Sequence, residues 1–449
     1  MPDKKLFCSS PWLHAKIAYG GRYLPCRWMT EIDPEWDKLK MQDMSLMEYY
    51  SSDQMNQIRT QLLTDDKISS CSSCHYEDSF NKTSGRARQL FRSKLDNIDT
   101  FDNDYLKSPH HEMFRHSLEN NGQSTGHPYD LQISLSNTCN NACIMCYPLF
   151  SSRLLQDYQK LTTVYPDIFK IDTQYKYWAD DPDLVDKFIQ YLKELPGIDY
   201  LHLLGGETLY LDTFYTICEA LIAAGMAENI FLGTTTNLTI YSDRLENIVT
   251  KFAKFHIGLS IESVNPLNDY IRYPSKIAGV LDTLDKFLAL REKFPDKIHL
   301  TLRITPNIFS IFYIDELIQY MCDHNITGES CDILVYPACL RIELMPPELK
   351  VIIIDKLKQV VKKNSLTRTR VVNTRNPDSV RDVIASVTFS YIDFLENMAY
   401  PNDGDKCRHD LVNFLNGFES IRGNSILDYA PEYKDFLKGY GYEHKYFME

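Results

Sequence analysis

Apolar and polar positions change their period along this chain. Between about residues 129 and 340, short apolar runs alternate with longer stretches in which apolar residues recur every three or four positions. The short runs lie at 130–134, 200–204, 230–234, 256–260, 299–304 and 333–336, and the longer stretches at about 148–160, 182–194, 211–225, 242–253, 276–293 and 312–324. The first kind of pattern predicts strands and the second predicts helices. Strand–helix alternation implies parallel strands joined by right-handed crossovers. Six such units form either an incomplete barrel or an open sheet, and the pattern by itself does not choose.

The flanking regions read differently. Residues 1–105 are irregular, with one short strand pattern (HAKIAYGGRYLP) and one helix from about Ser45 to Leu63. Ser45 followed by Glu48 has the spacing of a capping box, which opens that helix. Residues 106–128 are polar and contain glycine, and read as a linker. Residues 341–449 carry helical patterns (PPELKVIIIDKLKQVVKK, VRDVIASVTFSYIDFLENM, DLVNFLNGFES) and a polar tail, hence a helical C-terminal extension. There is no internal repeat and no low-complexity tract.

Composition narrows the class. At about 150 residues per domain, 449 residues suggest three folding units, one of which a barrel would enlarge. A hydrophobic share of 44% with 12% aromatics excludes a disordered chain. No run approaches the roughly 18 apolar residues of a membrane span, and the start lacks the apolar stretch of a signal peptide. The expectation is a cytoplasmic protein. In a reducing cytosol, the 12 cysteines read as metal ligands or catalysts rather than disulfides. With 48 Lys+Arg against 61 Asp+Glu, the charge of −13 argues against nucleic acid as a partner. Lys82, Arg86, Arg88, Arg92 and Lys94 form a local exception that reads as a solvated basic face.

The chemistry concentrates at Cys139, Cys143 and Cys146, directly after the first run of the alternating region. Three thiolates cannot complete a four-ligand structural zinc site, the bland reading being a zinc knuckle or a chance cluster. Soft ligands in a compact loop suit an iron–sulfur cluster with one iron left open to a reactant. The C-x3-C-x2-C spacing resembles that of the radical S-adenosylmethionine (SAM) enzymes, although Met145 stands where an aromatic residue is usual. The resemblance implies a [4Fe–4S] cluster whose open iron binds SAM, and cleavage of SAM to a 5′-deoxyadenosyl radical that takes hydrogen from a substrate. Further motifs follow successive runs, at the strand ends where barrel enzymes place their chemistry. Gly205-Gly206-Glu207 resembles the family's GGE motif, its glycines allowing close approach to a ligand and Glu207 accepting from an ammonium. Asn237 in TTTNLT is similar to the TN motif, or is a simple turn residue. Ser260, in GLSIES, and Arg272, before Tyr273-Pro274, would by resemblance bind the SAM carboxylate. Glu262 replaces the usual Asp, and its role stays open. Tyr336 is a candidate contact to the adenine, with an apolar strand end as the equal alternative.

A second set lies upstream: Cys8, Cys26, Cys71 and Cys74. Four cysteines in a region poor in apolar periodicity form a plausible metal staple. The pieces FCSSPW-x-H, GGRYLPCRW and CSSCHYEDSF resemble the auxiliary-cluster region of SPASM and twitch radical SAM proteins, which normally follows the barrel rather than preceding it. The resemblance implies an auxiliary [4Fe–4S] cluster at these four cysteines; four-cysteine zinc is the alternative. His75 reads as a loop residue. Of the other cysteines, Cys218 reads as buried and apolar. Cys339 is a candidate for facing the pocket, and Cys322, Cys331 and Cys407 carry no assignment. The segment NFLNGFESIRGNSILDYAPEY resembles the tail of twitch-containing relatives.

The expected architecture is an α/β chain: an incomplete (β/α)6 TIM-like barrel over residues 129–340, a small N-terminal Cys-rich iron–sulfur domain over 1–105, and a helical C-terminal extension. By resemblance, its function is SAM cleavage and hydrogen abstraction from a C–H bond, with peptide or protein modification first. A dehydrogenase or mutase of a small metabolite (sugar or nucleoside-like) is the second reading, and a non-enzymatic iron- or zinc-binding regulator the third. A flavodoxin- or ferredoxin-type reductant is the expected partner. The auxiliary cluster would accept an electron, bind substrate, or hold its domain together.

Overall fold

The alternating runs assemble into one eight-stranded sheet in a computed structural model that describes residues 6–29, 34–64, 66–79, 84–92, 110–171, 176–329, 333–369 and 379–443. The strands are β1 (His14–Ile17), β2 (Tyr23–Leu24), β3 (Asp130–Ser134), β4 (Tyr200–Leu204), β5 (Phe231–Thr236), β6 (Lys254–Ser260), β7 (Ile298–Arg303) and β8 (Thr327–Gly328). Their order is β2-β1-β3-β4-β5-β6-β7-β8, all parallel except β2, which runs antiparallel to β1. The sheet stays open, with β2 and β8 as its two edges.

Burial explains the near-continuous apolar runs. Leu131, Ile133, Leu201, Leu203, Leu232, Ile257, Leu259 and Leu302 are fully buried. A parallel sheet has no water-facing side, because its crossover helices cover it. Those helices lie at Ser152–Leu161, Pro182–Glu194, Asp212–Ala223, Asp243–Val249, Ile277–Lys293 and Ile314–His324. They turn Phe188, Leu192, Phe214, Leu221, Leu284 and Phe287 into the core. The extension forms three long helices, Pro347–Lys363, Val380–Asn397 and Gly404–Arg422.

Several expectations need correction. Residues 333–336 are not a strand: Val335 is 74% and Tyr336 43% exposed. The last strand is instead Thr327–Gly328, a pair too short to show any period, which takes its place by pairing with Thr301 and Leu302 of β7. The helix expected over 45–63 is two helices, Leu46–Tyr50 and Asp53–Leu63. The capping box is present, with Ser45 Oγ accepting from Glu48 N at 3.2 Å and Glu48 accepting from Ser45 N at 2.6 Å. Ser52 then caps the second helix by accepting from Met55 N at 3.4 Å. A serine that bonds to the backbone in this way competes with helix continuation. The stretch read as a linker contains the helix His111–Glu119, which lays Phe114 edge-on against Trp12 at 5.4 Å between ring centroids; residues 106–109 lie outside the described residues.

The N-terminal strand pattern becomes β1 and β2, so this region contributes two strands to the eight-stranded sheet. β1 pairs with β3 in register His14↔Asp130 to Ile17↔Ile133. Gly21 turns the hairpin at a φ of +83°, where glycine pays no steric penalty. The basic stretch is not uniformly a solvated face: Arg86 is buried and ion-paired to Asp78 at 2.6 Å. Lys82 and Lys94, and the side chains of Arg88 and Arg92, lie outside the described residues, as does Cys331.

Candidate functional site

Chain leaving the C-terminal ends of β3 to β6 converges on the loop that carries Cys139, Cys143 and Cys146. That loop has no regular secondary structure, so its backbone must be satisfied elsewhere. Ala142 N donates to Tyr273 O at 2.7 Å and Ile144 N to Ile271 O at 2.9 Å, which clamps the peptides on either side of Cys143 to the segment around Arg272. Ser151 Oγ donates to Asn141 O at 2.6 Å, and Cys146 N to Cys143 O at 3.1 Å.

The three thiols lie close enough to influence one another, Cys143 buried and Cys139 and Cys146 half-buried. Burial first, then Cys143, pushes the Cys139 thiol up to about 12. Burial also raises Cys143, and burial with its two neighbouring cysteines raises Cys146. A metal binding here must displace their protons.

The glycines of Gly205-Gly206-Glu207 serve the chain itself. A Cβ on Gly206 would lie 2.4 Å from Asn137 O and 2.6 Å from Thr138 O. The expected close approach is therefore to the loop leading into Cys139. Gly206 N donates to Ser136 O at 2.8 Å and Glu207 N to Thr138 O at 2.9 Å. Glu207 is buried and accepts from Leu209 N at 3.2 Å, Thr236 Oγ1 at 2.8 Å and Asn237 N at 2.5 Å. Burial pushes its carboxyl up to about 7, against those bonds. With roughly four lone-pair sites, it retains room for one further donor.

Asn237 leaves β5 and reaches the cysteine loop. Its Nδ2 donates to Asn140 Oδ1 at 2.7 Å and lies 4.0 Å from Cys139 Sγ, while its Oδ1 accepts from Thr239. Arg272 is buried beside all three thiols and donates to Glu262 Oε1 at 2.9 Å. Burial alone would lower Arg272, but Cys143, Glu262, Cys139 and Cys146 together raise it, keeping the guanidinium charged. Glu262, left open by the sequence, also accepts from Thr305 N at 2.9 Å and ties Arg272 to the segment just after β7. Ser260 ends β6, half-buried, opposite Arg303 of β7. Tyr336 sits farther out, 5.2 Å from the Tyr147 ring.

Residues with no sequence motif complete the surroundings. Tyr19, in the β1–β2 hairpin, donates to Gly205 O at 3.5 Å and stacks on Phe150 at 5.3 Å. Arg422, from the end of the helix Gly404–Arg422, donates to Ala142 O at 2.6 Å and to Asp157 Oδ2 at 2.9 Å. Arg272 Nε and Arg422 Nε and Nη1 are buried without a hydrogen-bond partner among the described residues. Three thiols on one loop, flanked by two guanidinium groups with unused donors, fit an anionic iron–sulfur cluster with its SAM carboxylate.

The second set also comes together. Cys8, Cys26, Cys71 and Cys74 line one cavity of about 510 Å³, its solvent-open mouth included, with Trp28, His75 and Arg86. Burial, then Cys26 and Cys74, pushes Cys71 up to about 12, and burial raises Cys8 and Cys26. All described cysteines are free thiols, and among the described residues no three Cys, His, Asp or Glu converge on a point suited to a single metal ion. Cys339 is buried between Cys407 and the Tyr336 side, and Cys218 is fully buried in its helix, as its apolar surroundings predict. No described helix is long and apolar enough to cross a membrane.

Residues 133–306, from β3 to just beyond β7, match the model of the Radical SAM superfamily. Among solved structures, native anSMEcpe with bound AdoMet is 15% identical, with 52% of this chain and 62% of that chain covered at a TM-score of 0.35. Streptococcus suis SuiB bound to the precursor peptide SuiA is 14% identical, with 68% of this chain and 63% of that chain covered at a TM-score of 0.35. A further crystal structure of Streptococcus suis SuiB gives 14% identity, 79% and 69% coverage, and a TM-score of 0.32. The chain thus spans about three fifths of the length of the first two. No curated protein matches it. Residues 133–306 are thus similar to the radical SAM domain, the domain of a family of enzymes.

Proposed function

We propose that this chain cleaves SAM reductively and starts radical chemistry at a substrate C–H bond. The observation that carries the proposal is the convergence of Cys139, Cys143 and Cys146 with Glu207, Asn237 and the Arg272–Glu262 pair at the C-terminal ends of the strands. The three thiolates would hold a [4Fe–4S] cluster, which supplies the electron for SAM cleavage and leaves one iron for SAM. Arg272 and Ser260 would take the SAM carboxylate, and the free capacity of Glu207 its ammonium. Gly205 and Gly206 hold the loops together beneath it. Tyr147 and Tyr336 would flank the adenine. Substrate would enter over Phe150, Tyr210, Val335 and Tyr336, whose exposed apolar surface suits a peptide side chain. A flavodoxin- or ferredoxin-type protein would deliver the electron.

In the same reading Cys8, Cys26, Cys71 and Cys74 hold a second [4Fe–4S] cluster, the four thiols bordering one shared cavity. Register supports a place for it away from the radical. Lys16 pairs with Leu24, so Cys26 lies back near the level of His14, which pairs with Asp130 at the start of β3. Cys139 lies beyond the other end of β3. At about 3.3 Å per residue, that strand alone separates the levels by about 13 Å. A second cluster there would serve as staple or electron relay rather than hold substrate at the radical.

Anaerobic reconstitution with iron and sulfide, reduction, and assay for 5′-deoxyadenosine test the reading. Wild type should bind about eight irons per chain and release 5′-deoxyadenosine, and Cys143→Ala should release none. Reconstituted, reduced wild-type protein that leaves SAM intact would overturn the proposal.

A further inference from the structure

We infer that Arg422, from the C-terminal extension, is a positioning residue for the cysteine loop and sets the charge felt by the group bound there. The inference rests on the cluster-binding reading above. An arginine in the last turn of a helix ordinarily serves that helix's own carbonyl end. Arg422 does not. Its helix is closed by Gly423 at a φ of +72°, and the guanidinium turns away into the protein, where its side chain is 1% exposed.

There it packs over the rings of Phe418 at 4.1 Å and Tyr273 at 4.7 Å. Nη2 donates to the carbonyl of Ala142, the residue before Cys143, at 2.6 Å. The same peptide segment is held from its other side by Tyr273 O. Ala142 is therefore fixed between two elements distant in sequence, and Cys143 with it. Asp157 balances part of the charge at 2.9 Å, but Nε and Nη1 find no partner among the described residues. A buried cation with idle donors is unfavourable unless enough negative charge lies beside it. Cys143 is close enough for its thiol to feel both Arg272 and Arg422.

Two consequences follow for a cluster on this loop. Without the clamp, the loop loses one of its fixed points and loads iron less completely. Without the positive charge, the reduced, more negative state is less favoured, so the reduction potential moves down. The extension is then part of the cofactor site rather than an appendage.

The experiment compares wild type with Arg422→Lys, Arg422→Met and Asp157→Asn after anaerobic reconstitution, all in a Cys71→Ala/Cys74→Ala background so that one cluster is observed. Iron per chain, the potential from a titration followed by paramagnetic resonance, and the melting curve are read on each. Arg422→Met should lower the potential and iron content, and Arg422→Lys should lower iron content while holding the potential nearer wild type. Asp157→Asn, which removes a neighbouring negative charge, should raise the potential. Should Arg422→Met fail to fold, the Asp157→Asn shift decides. Unchanged potentials and iron content in the folded variants would overturn the role of Arg422. Wild-type protein that assembles no cluster at all would instead overturn the cluster reading itself.

Discussion

At the scale of single residues, the loop around the three cysteines is held by contacts that tolerate little substitution. Gly206→Ala would push a methyl against the carbonyls of Asn137 and Thr138, neither of which can yield without moving the approach to Cys139. A loss of about 1–3 kcal/mol of stability by denaturant unfolding is expected, together with reduced iron loading. Glu262→Gln leaves the Arg272 charge without its partner. Iron-free protein should lose about 3–5 kcal/mol, the cost of breaking a buried pair, and reconstitution should restore part of it. The thiols give a pH dependence of definite sign. Each is raised by burial, Cys139 to about 12, so metal must displace protons throughout the neutral range. Apparent iron affinity of the apoprotein should rise steeply from pH 7 to 9 in a competition titration, and a flat profile would mean thiolates already formed.

At the scale of elements, the sequence shows most where one face or both faces are buried, and least where an element is made by its neighbours. The runs at β3 and β4 coincide with the strands residue for residue, because core burial demands apolar side chains at Leu131, Ile133, Leu201 and Leu203. Thr327–Gly328 carries no such pattern and becomes a strand only through Thr301 and Leu302. The apolar run at 333–336 is legible but misleading, since Leu334 is buried while Val335 and Tyr336 are exposed and the segment pairs with no strand among the described residues. Cys139, Cys143 and Cys146 are legible because the chemistry fixes their spacing. Arg422 and Tyr19 are not, because one long side chain reaching another element leaves no local pattern. One junction between elements deserves a direct test. Arg27 donates to both oxygens of Asp130 at 3.0 and 2.9 Å, and His14 lies 3.4 Å from the same carboxylate. This ties the residue after Cys26 to the first residue of β3. Asp130→Ala should cost about 3–5 kcal/mol and lower iron at the second site more than at the first; equal losses at both would show that the junction acts on the whole sheet.

At the scale of the molecule, the two cysteine sets occupy opposite ends of one sheet, joined by β1 lying against β3. Cys71→Ala/Cys74→Ala should therefore retain about four irons and the ability to cleave SAM, with a lower melting temperature. Loss of both clusters would mean that the second site is required to build the first. The pairing of β1 with β3 also has a consequence for how the chain comes to be folded. Residues 18–129 lie between these two strands, so the contact closes a long loop and belongs to the slow, non-local class. During synthesis, Cys8 and Cys26 leave the ribosome long before Asp130, the residue that anchors Arg27. The four-cysteine cavity consequently has no fixed wall until β3 has emerged. An isolated fragment of residues 1–105 should remain unfolded by circular dichroism, and adding residues 106–137 should begin to order it.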